Sequence, residues 1–468
     1  MVFSSLVFMF VYLPVVLLVY YVSPVKWRNL VLFLVNMVFY GWGEPVYLFL
    51  MMFSIIVDYL LGIGIEKFRD RKIIAKSFVI SSVVWNIGLL FFFKYFDFLL
   101  QSLQSMGLFQ RISPLGLSLP IGISFYTFQK LSYTVDVYRG ESKGQKNFID
   151  FSVFVTLFPQ LIAGPILQYK DLADQLKERS VNLTKMRYGI RIFTVGLCKK
   201  VLLANSIGKL WDDYRMMELS ELSVLGAWLG LLAFCFQIYF DFSGYSDMAV
   251  GLGKMLGFEF GGNFNYPYIS RSITDFWRRW HISLSSWFRD YVYIPLGGNR
   301  KGKTRWMINL LIVWAATGIW HGASFNFLLW GLYYALLLMI EKLWLLKKLE
   351  GLKKGAVVFS HGYALFFIVL GWGIFAIPDA TAGIGYLGAL FGASGVLKVS
   401  GDLFRIVNYG PLFIILILAS LPTFAKLFGK LSPKVRNVAE PVLILCGLLL
   451  STAYLVDSTY NPFLYFRF

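Results

Sequence analysis

The feature that most constrains this chain is a succession of apolar runs, each near the length of a membrane span. Residues 6–22, 30–40, 47–65, 77–93, 224–239, 308–319, 327–340, 363–377, 411–427 and 442–455 carry at most one charge each. A helix needs ~20 apolar residues to cross the hydrocarbon core, and these runs match or approach that length. In lipid the backbone must satisfy its own polar groups, which leaves a helical bundle as the architecture. The expected fold is all-α and polytopic, with roughly eleven to thirteen membrane helices, some tilted, broken or re-entrant. A mean hydropathy of +0.64 with 15% charged residues excludes an ordinary globular enzyme. No positive charge precedes the first run, so it lacks the basic start of a cleavable signal peptide and is expected to remain as a span.

The net charge of +18 raises the question of nucleic acid. The basic residues, however, sit in short blocks between apolar runs, the pattern of cytoplasmic loops, so no nucleic-acid partner is expected. With the N-terminus outside, Lys26 and Arg28 fall inside, as does the block from Lys67 to Lys76. The stretches 139–146, 271–305, 342–354 and 426–436 join them if some intervening segments are re-entrant. Cys198, Cys235 and Cys446 are scattered without metal-binding spacing, so neither a metal site nor a disulfide framework is expected.

No internal repeat is visible, and no polar stretch is large enough for a separate soluble domain, so residues 1–468 read as one membrane domain. Helix breakers interrupt "LPIGISFYTFQ" (119–129) and "FPQLIAGPILQY" (158–169). Such breaks survive in a bilayer only where protein or a water-filled cavity satisfies the freed backbone, which points to an internal cavity. The segment 270–298 has a different pattern. Ser272 and Asp275 have capping-box spacing, and Pro295, Gly297 and Gly298 supply a stop. One helix is expected there, with Trp277, His281, Leu284 and Phe288 on one face and Arg278 and Arg289 on another. It reads as a basic, aromatic amphipathic helix at the cytoplasmic interface, with membrane lipid as its simplest partner.

The chain holds three histidines, His281, His321 and His361. An ionisable residue at membrane depth is a functional candidate by default. His321, in "GIWHGASF", follows Arg305 by sixteen residues, about 24 Å along a helix, which places it within the bilayer toward the outer side. His361 reads as structural. In "FQIYFDFSGYSDMAVGLG" (236–253), Gln237, Asp241 and Tyr245 fall on one helical face, with Ser243 and Asp247 on a neighbouring one. Two carboxylates in an apolar segment need partners, so they act either as polar glue between helices or as supports for a catalytic group. No HExxH, P-loop or GxSxG motif occurs. A bis-histidine haem on His281 and His321 is the weaker alternative, and Ser324 is the only conceivable nucleophile close to His321 in sequence. A buried histidine suits general-base attack on a thioester, and the basic residues around Arg278, Arg279 and Arg289, with "NRKGKTR" (299–305), suit the phosphates of coenzyme A.

The stretches "QIYFDFSGYSDMAVGLGKMLG", "DFWRRWHISLSSWFRDYVYIPLGGNR" and "ATGIWHGASFNFLLWG" resemble the membrane-bound O-acyltransferase family, with its alginate O-acetyltransferase branch most similar. The segments 119–140 and 158–169 resemble it too, and the most specific motifs lie between 119 and 331. The resemblance implies a bundle with a thin centre and a tunnel from each side, a catalytic histidine at His321, and a second family histidine at His281, expected in the catalytic set to line the tunnel or position the thioester. It further implies acetyl transfer from cytoplasmic acetyl-CoA to an extracytoplasmic glycan at a multi-pass site in the cytoplasmic (inner) membrane. Arg278, Arg279, Arg289 and Trp280 are then expected to bind the donor, with Gln237, Asp241, Tyr245 and Asp247 in support and no metal. An extracytoplasmic esterase-like transferase is the expected partner. Two alternatives stand beside this reading: D-alanyl transfer to teichoic acid, and a transporter or flippase with an intramembrane polar site.

Overall fold

Seven helices are long and apolar enough to cross a membrane among the described residues, which in this computed structural model are 1–352, 354–457 and 464. They are joined by shorter apolar helices at Phe8–Val22 and Ala380–Leu390, and no strand occurs among the described residues. The runs 30–40 and 308–319 form helices of 14 and 19 residues. In the basic stretch 342–354, Lys353 lies outside the described residues. The chain divides into two compact units, Met1–Phe193 with Met248–Gly261, and Thr194–Asp247 with Gly262–Phe468. Large apolar side chains such as Phe10, Phe49, Phe359 and Val407 stand exposed on helices, as expected of faces turned to lipid.

The first unit runs through α1 (Leu13–Val22), α2 (Arg28–Gly41), α3 (Pro45–Lys67), α4 (Lys72–Lys94), α5 (Phe96–Ser105), α6 (Ile123–Arg139), α7 (Phe148–Thr156), α8 (Phe158–Leu161) and α9 (Tyr169–Lys177). The two interrupted stretches meet here. Gly122 begins α6 at φ +77°, and a Cβ on it would stand 2.6 Å from the carbonyl oxygen of Leu161, so only glycine suits both the turn and the contact. A buried polar knot joins α3, α4 and α6: Asp58 pairs with Lys130 at 3.3 Å and accepts bonds from Ser82 at 2.5 Å and Asn86 at 2.8 Å. Each of its charges is fully buried and paired, the condition on which charge survives in apolar surroundings. Arg69 donates to the carbonyls of Val137 and Ser142, which sets the basic loop after α3 and the one after α6 at the same end of this unit.

α10 (Leu183–Cys198) carries the chain onward, and a π-helical turn, Lys199–Ala204, leads to α11 (Asn205–Arg215) and the long α12 (Val224–Met255). Next come α13 (Ile273–Trp277), α14 (Ile282–Phe288), α15 (Lys303–His321), α16 (Phe325–Ile340) and α17 (Leu346–Glu350). The unit ends with α18 (Val357–Ala376), α19 (Ala380–Leu390), α20 (Ser400–Ala419), α21 (Thr423–Gly429) and α22 (Pro433–Asp457).

The stretch 270–298 is not one helix. The Ser272 cap forms as expected, its hydroxyl accepting from the Asp275 N–H at 3.0 Å, and the Glu341 carboxylate takes the N–H groups of Ile273 and Thr274 at 2.6 and 2.8 Å. α13 then stops at Trp277, and His281 takes a left-handed conformation, φ +44°, ahead of α14. The loop before it causes the break: the N–H of Asn265 donates to the Arg279 carbonyl, and Ile282 donates to the Asn263 carbonyl. Backbone groups that a continuous helix would use are taken by a tertiary neighbour. In consequence Trp277, Leu284 and Phe288 are buried rather than laid on a membrane surface, and Arg278 and Arg289 do not form one basic face.

Candidate active site

His321 is the last residue of α15, and the backbone turns to extended geometry at Gly322. The hairpin of α15 and α16 is pinned close by glycine: a Cβ on Gly318 would press on the Phe327 carbonyl oxygen, and one on Gly331 on that of Trp314. This close approach sets Trp330 of α16 against His321, ring centroids 5.1 Å apart and nearly perpendicular, while Phe375 of α18 meets the imidazole at 5.3 Å. His321 is thus boxed by aromatic rings at 7% exposure. It borders a small cavity that is also lined by Asp241 and Phe242 of α12, Trp280, Trp330, Trp372 and Leu464.

Asp241 is the charged wall of that cavity. One carboxylate oxygen pairs with Lys200 of the π turn, and the other accepts the Leu464 N–H at 2.8 Å. Both side chains of the pair are almost completely buried, at 2% and 3% exposure. The neighbouring Lys199 pairs with Asp247 at 2.6 Å, but that pair is partly exposed and Asp247 does not line the cavity. Tyr245 is buried in α12, and Gln237 packs against Gly208 of α11, so of the polar residues expected on α12 the cavity takes only Asp241.

His281 lies outside the cavity lining. Its ring packs edge-on against Phe242, which does line it, at 4.7 Å, and lies 6.3 Å from that of Trp320. Its Nδ1 is 3.3 Å from the Asn263 side-chain oxygen, and its Nε2 is buried with no hydrogen-bond partner among the described residues. Burial pushes the imidazole down to about 3, so it is neutral at physiological pH. His361 donates from Nδ1 to the Ser270 carbonyl at 3.1 Å, a structural bond. Ser324 donates to the Pro378 carbonyl.

The expected donor-binding set comes apart. Trp280 is 3% exposed and packs at a tilt against Trp372 in the cavity wall, so it is not available on a phosphate-binding surface. Arg279 is engaged by Asp275 at 2.9 Å and by the Asn265 carbonyl, and Arg289 by Asp290 at 2.8 Å. Arg278 stays exposed, with Lys342 as an electrostatic neighbour. The residues missed by sequence reasoning are Lys200, Trp330, Trp372 and Phe375. For Lys200 a signal existed: "LCKKVLL" sets two lysines in an apolar run, and two aspartates wait on α12. Among the described residues no group of three His, Cys, Asp or Glu side chains is arranged to hold a metal.

Residues 19–346 match the model described as MBOAT, membrane-bound O-acyltransferase family. The chain is 38% identical to a "Probable alginate O-acetylase" of Pseudomonas putida over the whole of both chains. It is 46% identical to the protein of that name from Pseudomonas aeruginosa over 73% of this chain and 66% of that one. A "Peptidoglycan O-acetyltransferase" of Helicobacter pylori is 32% identical over 90% of this chain and 86% of its own.

Proposed function

The chain belongs to the membrane-bound O-acyltransferase family, and on that premise we propose that it O-acetylates an extracytoplasmic polysaccharide, drawing acetyl groups from cytoplasmic acetyl-CoA across the inner membrane. The relatives named for alginate and peptidoglycan acetylation support a glycan acceptor. The observation that carries the reading is His321: one imidazole at the end of α15, boxed by aromatic rings, on a cavity that has the Asp241 carboxylate as the one acidic group among its described lining residues.

In this reading His321 is the general base. Its imidazole takes the proton of the acceptor hydroxyl as that oxygen attacks the thioester carbonyl. The carbon–sulfur bond then breaks, and the imidazolium returns the proton to the departing thiolate, so His321 is regenerated and no other co-reactant is needed. The aromatic walls keep water from competing for the thioester. His281, neutral and buried behind Phe242, braces the cavity wall. Arg278, with the exposed basic residues of 299–305, offers the donor phosphates a landing surface. An extracytoplasmic transferase of the serine-esterase type receives the acetyl group for delivery to polymer.

His321→Gln tests the assignment. In a strain lacking the native gene, the variant is expected to reach the membrane in normal amount yet lower O-acetylation of the surface polymer by at least about 10²-fold. Near-normal acetylation by this variant would remove His321 from the chemistry.

A further inference from the structure

We infer that Lys200 is a positioning residue for this reaction, holding Asp241 as an ionised carboxylate in the cavity wall, where its charge stabilises the imidazolium that His321 becomes. The inference rests on the reading of His321 as the base. Three observations carry it.

The first is burial. Lys200 and Asp241 are each almost wholly enclosed, and an enclosed carboxylate without a cation takes up a proton and loses its charge. A buried ion pair is seldom the most stable filling of apolar space, since well-packed apolar residues commonly serve as well or better. Its location on the His321 cavity, and not elsewhere on α12, gives it a use that stability alone does not.

The second is how the lysine arrives there. A Cβ on Gly244 of α12 would stand 2.7 Å from the Gly196 carbonyl oxygen and 3.0 Å from the Lys200 backbone nitrogen, so the two helix backbones nearly touch. Just past Gly196, α10 gives way to the π turn Lys199–Ala204. Successive side chains diverge around this turn, so Lys199 reaches Asp247 while Lys200 reaches Asp241, about 9 Å away along α12. π turns of this kind recur at functional sites.

The third is charge. With His321 neutral, Lys200 and Asp241 cancel. Once the acceptor hydroxyl has given up its proton, the imidazolium sits among tryptophan and phenylalanine rings, and Asp241 is the fixed anion on the same cavity. Its two bonds, to Lys200 and to the Leu464 N–H, leave further lone-pair capacity on the carboxylate. Remove Lys200 and the Asp241 carboxylate is left buried without its cation. Remove Asp241 and Lys200 opposes the positive charge on His321.

The test is O-acetyl content of the surface polymer in a strain lacking the native gene, normalised to the amount of each variant in the membrane. Lys200→Met and Asp241→Asn are each expected to lower it about 10²-fold. Lys200→Arg, which keeps the cation, should retain most activity, as should Lys199→Met, whose partner is outside the cavity. The decisive variant is Lys200→Met with Asp241→Asn, which leaves no unpaired charge and should accumulate even if the single variants do not. It is expected to be present in the membrane and to acetylate as poorly as Lys200→Met. Wild-type acetylation by this neutral pair would reduce Lys200 and Asp241 to a structural role and overturn the inference, as would Lys200→Arg proving no better than Lys200→Met. His321→Gln run alongside separates the failures: if it acetylates normally the base assignment falls, whereas an inactive His321→Gln beside an active neutral pair sinks only the Lys200 inference.

Discussion

His281 and His321 show how far one residue type is set by its surroundings. His321 ends a helix and borders a cavity, whereas His281 stands at a left-handed bend with Nδ1 on Asn263 and Nε2 buried. A histidine whose folded pKa is about 3 and whose unfolded value is near 6.5 refuses a proton that the unfolded chain accepts between those limits. Its contribution to stability is therefore complete above about pH 6.5 and is lost as pH falls toward 3, amounting to about 2 kcal/mol by pH 5. Thermal unfolding of the detergent-solubilised protein at pH 7.5 and pH 5 is expected to show this loss, with His281→Asn losing less between the two pH values. Equal losses in both proteins would mean that His281 is not buried in its neutral form. That a ring at this position matters was legible in the sequence, but its left-handed backbone was not, because the segment holds no glycine or proline at the bend and the competing bonds come from Asn263 and Asn265.

At the scale of elements, α10 and α12 are held together by glycine at both ends of their crossing. Gly189 opposes Gly251, and Gly196 opposes Gly244, each within one compact unit. The spacing of seven residues on both helices, running in opposite senses, marks an antiparallel seam of the small-residue type common between membrane helices. Even one methyl group at Gly244 must displace backbone, so Gly244→Ala is expected to destabilise by about 1–3 kcal/mol and to lower acetylation by moving Lys200. Gly88→Ala in α4, where a Cβ meets nothing within 4 Å, should leave thermal unfolding and acetylation unchanged or slightly improve stability. If Gly244→Ala unfolds at the wild-type temperature with normal acetylation, the seam does not position the lysine.

At the scale of the whole molecule, the longest link between helices among the described residues runs over 106–122, too short for a glycan-binding domain. The proposed function gives the presentation of a polymer outside the membrane to a second protein. Reconstituted in vesicles with acetyl-CoA on the cytoplasmic side and glycan oligomers on the other, the protein is expected to acetylate the oligomers only when an extracytoplasmic transferase is supplied. Stoichiometric acetylation by the protein alone would overturn the partner requirement.

The sequence by itself determined the class of fold and singled out the residues that are candidates for its chemistry. Apolar runs of span length admit only helices, the scarcity of histidine isolates His321, and the carboxylates of α12 announce a polar interior, because each is costly in lipid wherever it stands. These are local properties, readable one segment at a time. The tertiary structure decided which polar groups meet. It divided 270–298 into two helices through bonds to the loop that precedes them, turned Trp280 into the wall of the cavity, spent Arg279 and Arg289 on acidic neighbours, and assigned Lys200 to Asp241 and Lys199 to Asp247. Pairings of this kind depend on how closely two backbones approach and on the exact turn at which a side chain leaves its helix. Glycine contacts and a π turn set both, and neither is visible until the helices are packed.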